Sequence, residues 1–400
     1  MSGLPDGWVE TTLGDVSIKK QYGYTESASL EKVGPKFLRI TDIQYDFINW
    51  TAVPYCPITD SNYLKYKLEV GDVVIARTGN STGATATIKD NVDAVFASYL
   101  IRFKINPIKV HYNYIDFLLR SFYWRSFVKS IKSGSAQGGA NANDFAEFPI
   151  NLPSLNEQKT IANILSSFDE KIELLREQNE TLETLAQTIF KEWMSKNHDD
   201  WSYKKLSDVL EITSSKRIFY NEYVGDGIPF YRSKEIIELS TKPTISTELF
   251  ITKERFSEIK NKFSVPIRGD ILLTSVGTLG VPFQVRTDDN FYFKDGNLTW
   301  FKSFSDDVSS DFVYCWLKLK TTQNQLDMIS IGSTQKALTI KSLKTLQIPI
   351  LKNEQKRKQL YDFLKINITK INHNYSQIQS LTKTRDTLLP KLMSGQVRVN

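Results

Sequence analysis

Residues Glu157 to Ser195 read EQKTIANILSSFDEKIELLREQNETLETLAQTIFKEWMS. Ile161, Leu165, Phe168, Ile172, Leu175, Asn179, Leu182, Ala186, Ile189 and Trp193 recur in steps of four and three. That spacing places them on one stripe of a long helix that carries charge elsewhere. No Pro or Gly interrupts the stretch. Ser154 or Asn156 as N-cap, with Glu157 and Gln158 in the first turn, suits the free amide groups of a helix start. An apolar stripe needs a partner, and the C-terminal region supplies one. Leu360, Leu364, Asn367, Ile371, Asn374, Ile378, Leu381, Arg385, Leu388 and Leu392 stand at the same positions plus 199. Two related helices of roughly 40 residues, each about 60 Å long, are therefore expected.

Their charges differ in sign. Residues 151–200 hold five basic and ten acidic side chains, whereas residues 351–400 hold ten basic and three acidic ones. Self-pairing would set like charges at flanking positions, so the two helices are expected to pair with each other. Antiparallel pairing centred near 177 and 376 makes opposing positions sum to 553. Asn179 then faces Asn374 inside a seam of Phe168, Ile172, Leu175, Leu182, Ile371, Ile378 and Leu381. Paired amides in an apolar seam fix register at some cost in stability.

The rest of the chain is also duplicated. Trp8, Leu13, Asp15 and Val16 reappear as Trp201, Leu206, Asp208 and Val209, a shift of 193 that also carries Phe37, Arg39 and Ile43 onto Phe230, Arg232 and Ile236. GDVVIARTGNSTG from Gly71 matches GDILLTSVGTLG from Gly269 at a shift of 198, as Gly134, Ser135 and Gln137 match Gly332, Ser333 and Gln335. Glu157 and Gln158 answer Glu354 and Gln355 at 197. The constant order marks a tandem duplication: globular unit, helix, globular unit, helix. Within a unit the elements read as mixed α and β. VVIAR and ILLTS are strands after Gly-Asp turns, AVFASYLIRFKI is a partly exposed strand, and the aromatic-rich segments from Asn113 and Asp311 are amphipathic helices with core aromatics.

The fold class is thus α+β: two globular domains separated by two long antiparallel helices that form a coiled-coil spacer with pseudo-twofold symmetry. The expected boundaries are 1–153, 154–197, 198–351 and 352–400. Twofold-related units suit a protein that reads two half-sites on a duplex.

Composition narrows the classes. The net charge is +6, and no run of 18 apolar residues or apolar leader is present, so neither a membrane span nor secretion is expected. Cys56 and Cys315 fit no metal or redox spacing, and His111, His198 and His373 sit singly, which points to a reduced cytoplasmic protein without a metal site. There is no NPPY or DPPY tetrapeptide, no FxGxG turn and no GxxxxGK[ST] loop. The GNSTG run from Gly79 lacks a following Lys and reads as a tight turn. Asp169, Glu170 and Lys171 read as a solvated or partner-facing helix surface, not a nuclease cluster.

Together these features resemble the specificity subunit of Type I restriction-modification systems. The resemblance rests on the WxxxxLxD starts at Trp8 and Trp201, the two Gly-Asp loops, the NLPSLNEQKTI and IPILKNEQKRK helix entries, and the closing LLPKLMSGQV. It covers essentially the whole chain. It implies two target-recognition domains, each reading half of a split double-stranded DNA sequence, and two helices that space the halves. It further implies two modification subunits, which carry S-adenosylmethionine and methylate adenine N6, and two restriction subunits, which use ATP and Mg. The chain itself would bind no cofactor and perform no catalysis. The alternatives are a self-sufficient DNA adenine methyltransferase and a coiled-coil interaction scaffold without DNA.

Base reading requires polar side chains on elements that enter a groove, whereas phosphate contact needs only exposed donors and charge. Four loops qualify. The first holds Tyr22 and Tyr24, answered by Lys216 and Arg217. The second holds Arg39 and Thr41, answered by Arg232 and Lys234. The third holds Arg77, Thr78, Asn80 and Ser81, answered by Ser275 and Thr278. The fourth holds Ser135, Gln137 and Asn141, answered by Ser333, Gln335 and Lys336. Residues common to both copies, such as Arg39 and Arg232, are equally suited to bracing the fold or holding phosphate. Residues that differ are the stronger candidates for specificity.

Overall fold

The Gly-Asp turns launch the central strands Asp72–Ala76 and Ile271–Thr274, and both strands are buried along their whole length. The computed structural model describes residues 4–43, 48–133, 139–196, 198–242, 245–332 and 336–399. It divides into two compact units, one of residues 1–171 with 382–400 and the other of residues 172–381. The division runs through both long helices, so each unit holds a segment of each.

In the first unit Asp72–Ala76 pairs antiparallel with Leu100–Ile105 on one side and Thr85–Thr87 on the other, and Ser17–Tyr22 extends the sheet beyond Leu100–Ile105. A parallel pair, Lys36–Leu38 with Ala94–Phe96, and an antiparallel pair, Val9–Thr12 with Pro149–Leu152, complete its strands. The second unit repeats the plan. Ile271–Thr274 lies between Leu298–Lys302 and Pro282–Gln284, with Glu211–Thr213 outside. Ile228–Tyr231 runs parallel to Tyr292–Phe293, and Trp201–Lys205 pairs antiparallel with Gln347–Leu351. Even the register is retained: Ala76 opposes Leu100, and Thr274 opposes Leu298, each 198 further on.

The turn aspartates recur with different partners. Asp72 Oδ2 accepts from Glu69 N at 3.0 Å and from Arg102 Nη1 at 3.3 Å. Asp270 Oδ2 accepts from Ile267 N at 3.0 Å and from the Trp300 indole at 2.9 Å. Burial pushes both carboxyls above the usual carboxylate range. Cys56 and Cys315 are buried free thiols, and burial pushes Cys56 up to about 11.

Three expectations are corrected. AVFASYLIRFKI is two strands in two different sheets, Ala94–Phe96 and Leu100–Ile105, and both are largely buried because core residues pack on either side of them. Each aromatic-rich segment is two helices, Tyr112–Arg120 with Phe122–Ser133, and Ser310–Leu317 with Lys320–Met328. Their aromatics Tyr114, Phe117, Trp124, Phe312 and Trp316 lie in the cores. Asp169 is not solvated but clamped, as described below.

The long helices are Leu155–Lys196 and Glu354–Met393. Ser154 caps the first, its Oγ accepting from Glu157 N at 3.3 Å. Within residues 172–381 the two helix segments run antiparallel: Ile172 and Leu175 pack with Ile378, Tyr375 and Leu381, while Ala186 and Phe190 share a core with Leu360, Leu364, Ile368 and Ile371. Leu182 is half-buried against that core. Asn374 Nδ2 donates to Asn179 Oδ1 at 2.8 Å. Phe190, fully buried yet off the expected stripe, extends the seam toward the sheet core through an edge-on contact with Phe312.

Within the other unit Ile161 and Leu165 pack with Leu388, Leu389, Leu392 and Met393, again antiparallel, and Phe168 is half-buried. Arg385, placed in the apolar stripe by its spacing, instead reaches Asp169 at 2.6 Å, and Arg120 reaches the other oxygen of the same carboxylate at 2.6 Å. Among the described residues no helix is long and apolar enough to cross a membrane.

Candidate nucleic-acid interface

In each unit the loop after the central strand meets the segment that leads into a short helix. Arg77 N donates to Tyr99 O at 3.1 Å, and Arg77 O accepts from Ala140 N at 3.2 Å. Ser275 N donates to Asn297 O and Ser275 O accepts from Leu338 N, both at 2.9 Å. Every residue of the second set is the first plus 198, so the duplicated backbone delivers equivalent loops to equivalent places. The side chains differ.

In the first unit the GNSTG run is a 3₁₀ turn, Gly79–Ser81, closed by Thr82 Oγ1 donating to Gly79 O at 2.8 Å. Thr78 precedes it half-buried, Asn80 is exposed and Ser81 half-buried. Gly83 ends the run with φ +86°, and a Cβ there would lie 2.4 Å from Val128 Cγ1, so the loop sits directly on the helix Phe122–Ser133. Between them lies a cleft of about 300 Å³ whose lining includes Asn80, Ser81, Arg125 and Lys132. Arg125 and Lys132 escaped the sequence reading because a helix with core aromatics gave no sign of which turn meets the loop.

Tyr22 lies against the start of the same loop. It is 42% exposed, the Arg77 guanidinium lies 5.1 Å from its ring centroid, and its hydroxyl accepts from Ala142 N at 3.2 Å. Tyr99, 55% exposed, stands beside Arg77 and was also missed. The exposed Tyr22 and the half-buried Arg77 are thus in contact, with Asn80 exposed three residues further along the same loop. Tyr24 does not join them, because its ring packs 5.3 Å from Tyr66 against the core around Phe37 and Val95. Asn141 is engaged as a helix cap, its side chain accepting from Asn143 N and Asp144 N at 2.8 and 3.1 Å. Ser135 and Gln137 lie outside the described residues.

Arg39 and Arg232 adopt the same clasp. Arg39 donates to both oxygens of Asp42 at 2.9 and 2.8 Å, and Arg232 to both oxygens of Glu235 at 3.2 and 2.6 Å. The hydrogen bond to Asp42 raises the Arg39 pKa, and that to Glu235 raises Arg232. Burial alone would push the Glu235 carboxyl up, but Arg232 outweighs it and holds it below the usual range. Both guanidinium forks are therefore occupied, which places these arginines in the scaffold. Thr41 is exposed beside the first clasp and Lys234 beside the second.

In the second unit Ser275 is corrected outright. It is 3% exposed, and its hydroxyl meets Thr299 Oγ1 at 2.7 Å inside the sheet, which removes it from any surface. Thr278 is exposed in the shorter turn, and the bridge between Val276 and Ala337 brings that turn to Lys336, whose Nζ lies 3.2 Å from Asp327. Lys216 and Arg217 head an exposed loop. Lys216 Nζ lies 5.1 Å from the Phe263 ring, and Arg217 pairs with Asp295 at 2.7 Å. Phe219 and Tyr220 follow, Tyr220 with 89% of its surface exposed, an aromatic pair beside basic residues that the repeat could not flag because the first copy has no counterpart. Ser333 and Gln335 lie outside the described residues. Among the described residues no group of three or more His, Cys, Asp or Glu is placed to hold a metal ion.

Both units thus combine a fixed backbone with exposed donors and aromatic rings that differ between copies. Comparison with known proteins agrees with the duplicated plan. The family model described as the Type I restriction modification DNA specificity domain matches residues 5–184 and again residues 198–383. A putative type I restriction enzyme MjaX specificity subunit of Methanocaldococcus jannaschii is 24% identical over 422 residues, covering 99% of this chain and 95% of that protein. The MjaIX specificity subunit of the same organism is 26% identical over 309 residues, covering 72% and 69%. The crystal structure of a Type-I restriction-modification system S subunit from M. genitalium shares the fold at a TM-score of 0.60 and 17% identity, over 98% of this chain and 97% of that one. With two matches that together span most of its length, the chain belongs to the Type I restriction-modification DNA specificity family.

Proposed function

We propose that this chain is the DNA-specificity subunit of a Type I restriction-modification complex, reading a duplex target in two separated parts and directing partner subunits to it. The double family match carries the recognition role. The two-part target is supported by the pairing of identical backbone registers with unlike side chains, Arg77 against a buried Ser275 and Tyr22 against the Lys216–Arg217 loop. Shared scaffold with altered reading groups is what two different half-sites require. The chain contributes recognition and no chemistry. Two modification subunits bring S-adenosylmethionine and methylate adenine N6, and two restriction subunits bring ATP and Mg, in the cytoplasm.

Mapping N6-methyladenine across a host genome with and without this protein tests the reading. The expected result is one motif in two parts, split by a fixed unspecified gap and lost with the protein. Methylation unchanged by its removal would refute it. Binding of the assembled complex to specific and scrambled DNA at several salt concentrations excludes a scaffold that ignores DNA, since phosphate-only binding falls steeply with salt. Methyl transfer by the purified chain alone would favour a self-sufficient methyltransferase.

A further inference from the structure

Five arginines of the first unit, Arg39, Arg102, Arg120, Arg385 and Arg398, spend their guanidinium groups on carboxylates. Arg77 does not. Among the described residues its side chain makes no hydrogen bond or ion pair, and its Nε is buried without an acceptor. Yet it is held in place. Its backbone is tied on both sides, to Tyr99 O and Ala140 N, and its guanidinium lies against the Tyr22 ring, itself fixed through the hydroxyl to Ala142 N. The result is an oriented donor fork that no described side chain accepts from, set beside the exposed Tyr22 and Tyr99.

We infer that Arg77 reads a guanine in the major groove, donating to O6 and N7, with Tyr22 as the residue that positions it. The inference rests on the DNA-reading function proposed above. Two planar acceptors side by side match a guanidinium fork, and stacking on an aromatic face removes the freedom that a mere charge contact would leave. A phosphate contact needs neither the fixed backbone nor the ring. The difference between copies points the same way: the equivalent position is a buried serine, Ser275, so the second half-site is read without this contact. Arg39 and Arg232, present in both copies, are instead paired within the fold.

The test uses the assembled modification complex on a library of randomised targets, with the relative methylation rate at each position as readout. Wild type is expected to demand guanine at one position of one half-site. Arg77→Ala lowers that preference roughly 10- to 100-fold and leaves the other half-site unchanged. Arg77→Lys, which keeps the charge but loses the fork, falls between. Tyr22→Phe, which keeps the ring but loses its tie to Ala142 N, weakens the preference less than Tyr22→Leu does at the same position. An Arg77→Ala complex that is slower on every sequence alike would identify a phosphate contact and overturn the inference, as would an unchanged profile. A wild-type complex with no sequence preference would overturn the function itself, so the two failures are distinguishable.

Discussion

Asn374 Nδ2 donates to Asn179 Oδ1 at 2.8 Å in the middle of the paired long helices, where both side chains are almost wholly buried. Asn374 Nδ2 also meets Gln178 Oε1 at 2.8 Å, while Asn374 Oδ1 finds no partner among the described residues. A buried amide pair that is only partly satisfied is a poor source of stability and a strong source of register, because any slip would leave both amides among Leu and Ile.

The consequence is an asymmetry between single and double replacement. Asn374→Leu strands the Asn179 carbonyl oxygen in an apolar seam, at about 1–3 kcal/mol. Asn179→Leu leaves Asn374 Nδ2 with Gln178 alone and is expected to cost less. Replacing both removes every unsatisfied atom and adds apolar packing, so the double variant should match or exceed wild type in urea midpoint while losing its unique register. A double variant less stable than either single one would contradict this account.

The two turn aspartates give a second contrast. Asp72 faces the buried Arg102, whereas Asp270 takes hydrogen bonds from neutral donors only. Asp72→Asn takes the carboxylate from a buried guanidinium that keeps Lys67 O, Lys65 O and the Gln21 amide oxygen as acceptors, a loss of about 1–3 kcal/mol. Asp270→Asn can still accept through its amide oxygen and should stay within about 1 kcal/mol of wild type. A pH series adds a sign. The Asp270 carboxyl is raised in the folded state, so its stabilising contribution is complete below the unfolded value and is lost as pH rises through the folded one. Wild type should therefore gain stability relative to Asp270→Asn as pH is lowered from neutrality.

These cases show what the sequence makes legible. The helix pair follows from periodicity and opposite charge, since a stripe of fixed spacing has few ways to be buried, while the Asn179–Asn374 contact follows from centring an antiparallel pairing on the symmetry of the repeat. The repeat likewise locates equivalent loops. It does not reveal what each side chain does there. Glu157 is buried, bonded to the Trp8 indole at 3.2 Å and to Arg398 at 2.8 Å, yet its counterpart Glu354 is exposed and the Trp201 indole nitrogen is buried without a partner among the described residues. Sequence similarity at a shift of 197 and helical phase at 199 part by half a turn. Ser275 and Arg77 diverge for the same reason: a shared backbone position says nothing of whether a shorter loop lets the side chain out.

Asp169 supplies a third prediction. Burial alone would push its carboxyl up, but Arg120 and Arg385 outweigh that and hold it below the usual range. Asp169→Asn is expected to lower stability by about 1.5–3 kcal/mol, the scale of hydrogen bonds to charged groups. Because the folded value is depressed, the contribution is present above the unfolded value of about 3.9 and disappears as pH falls through the lower folded one. The gap in denaturation midpoint between wild type and variant should stay constant down to about pH 4 and close below it. A gap that closes nearer neutrality would assign the effect to another group.

The cleft between the Gly79–Ser81 turn and the helix Phe122–Ser133 offers a way to tell phosphate contact from base reading. Arg125 is exposed there and, among the described residues, its side chain makes no hydrogen bond or ion pair, nor does any aromatic ring hold it. An exposed cation with no side chain to orient it suits a phosphate, whose attraction depends on charge more than on angle. Arg125→Ala in the assembled complex should weaken binding to specific and scrambled duplexes alike. It should also reduce the slope of log affinity against log salt by about one, the change expected when one phosphate contact is lost. Arg77→Ala should change discrimination far more than that slope. If Arg125→Ala instead alters preference at a single base while the salt slope stays fixed, the two arginines have exchanged roles and the cleft lies against base edges.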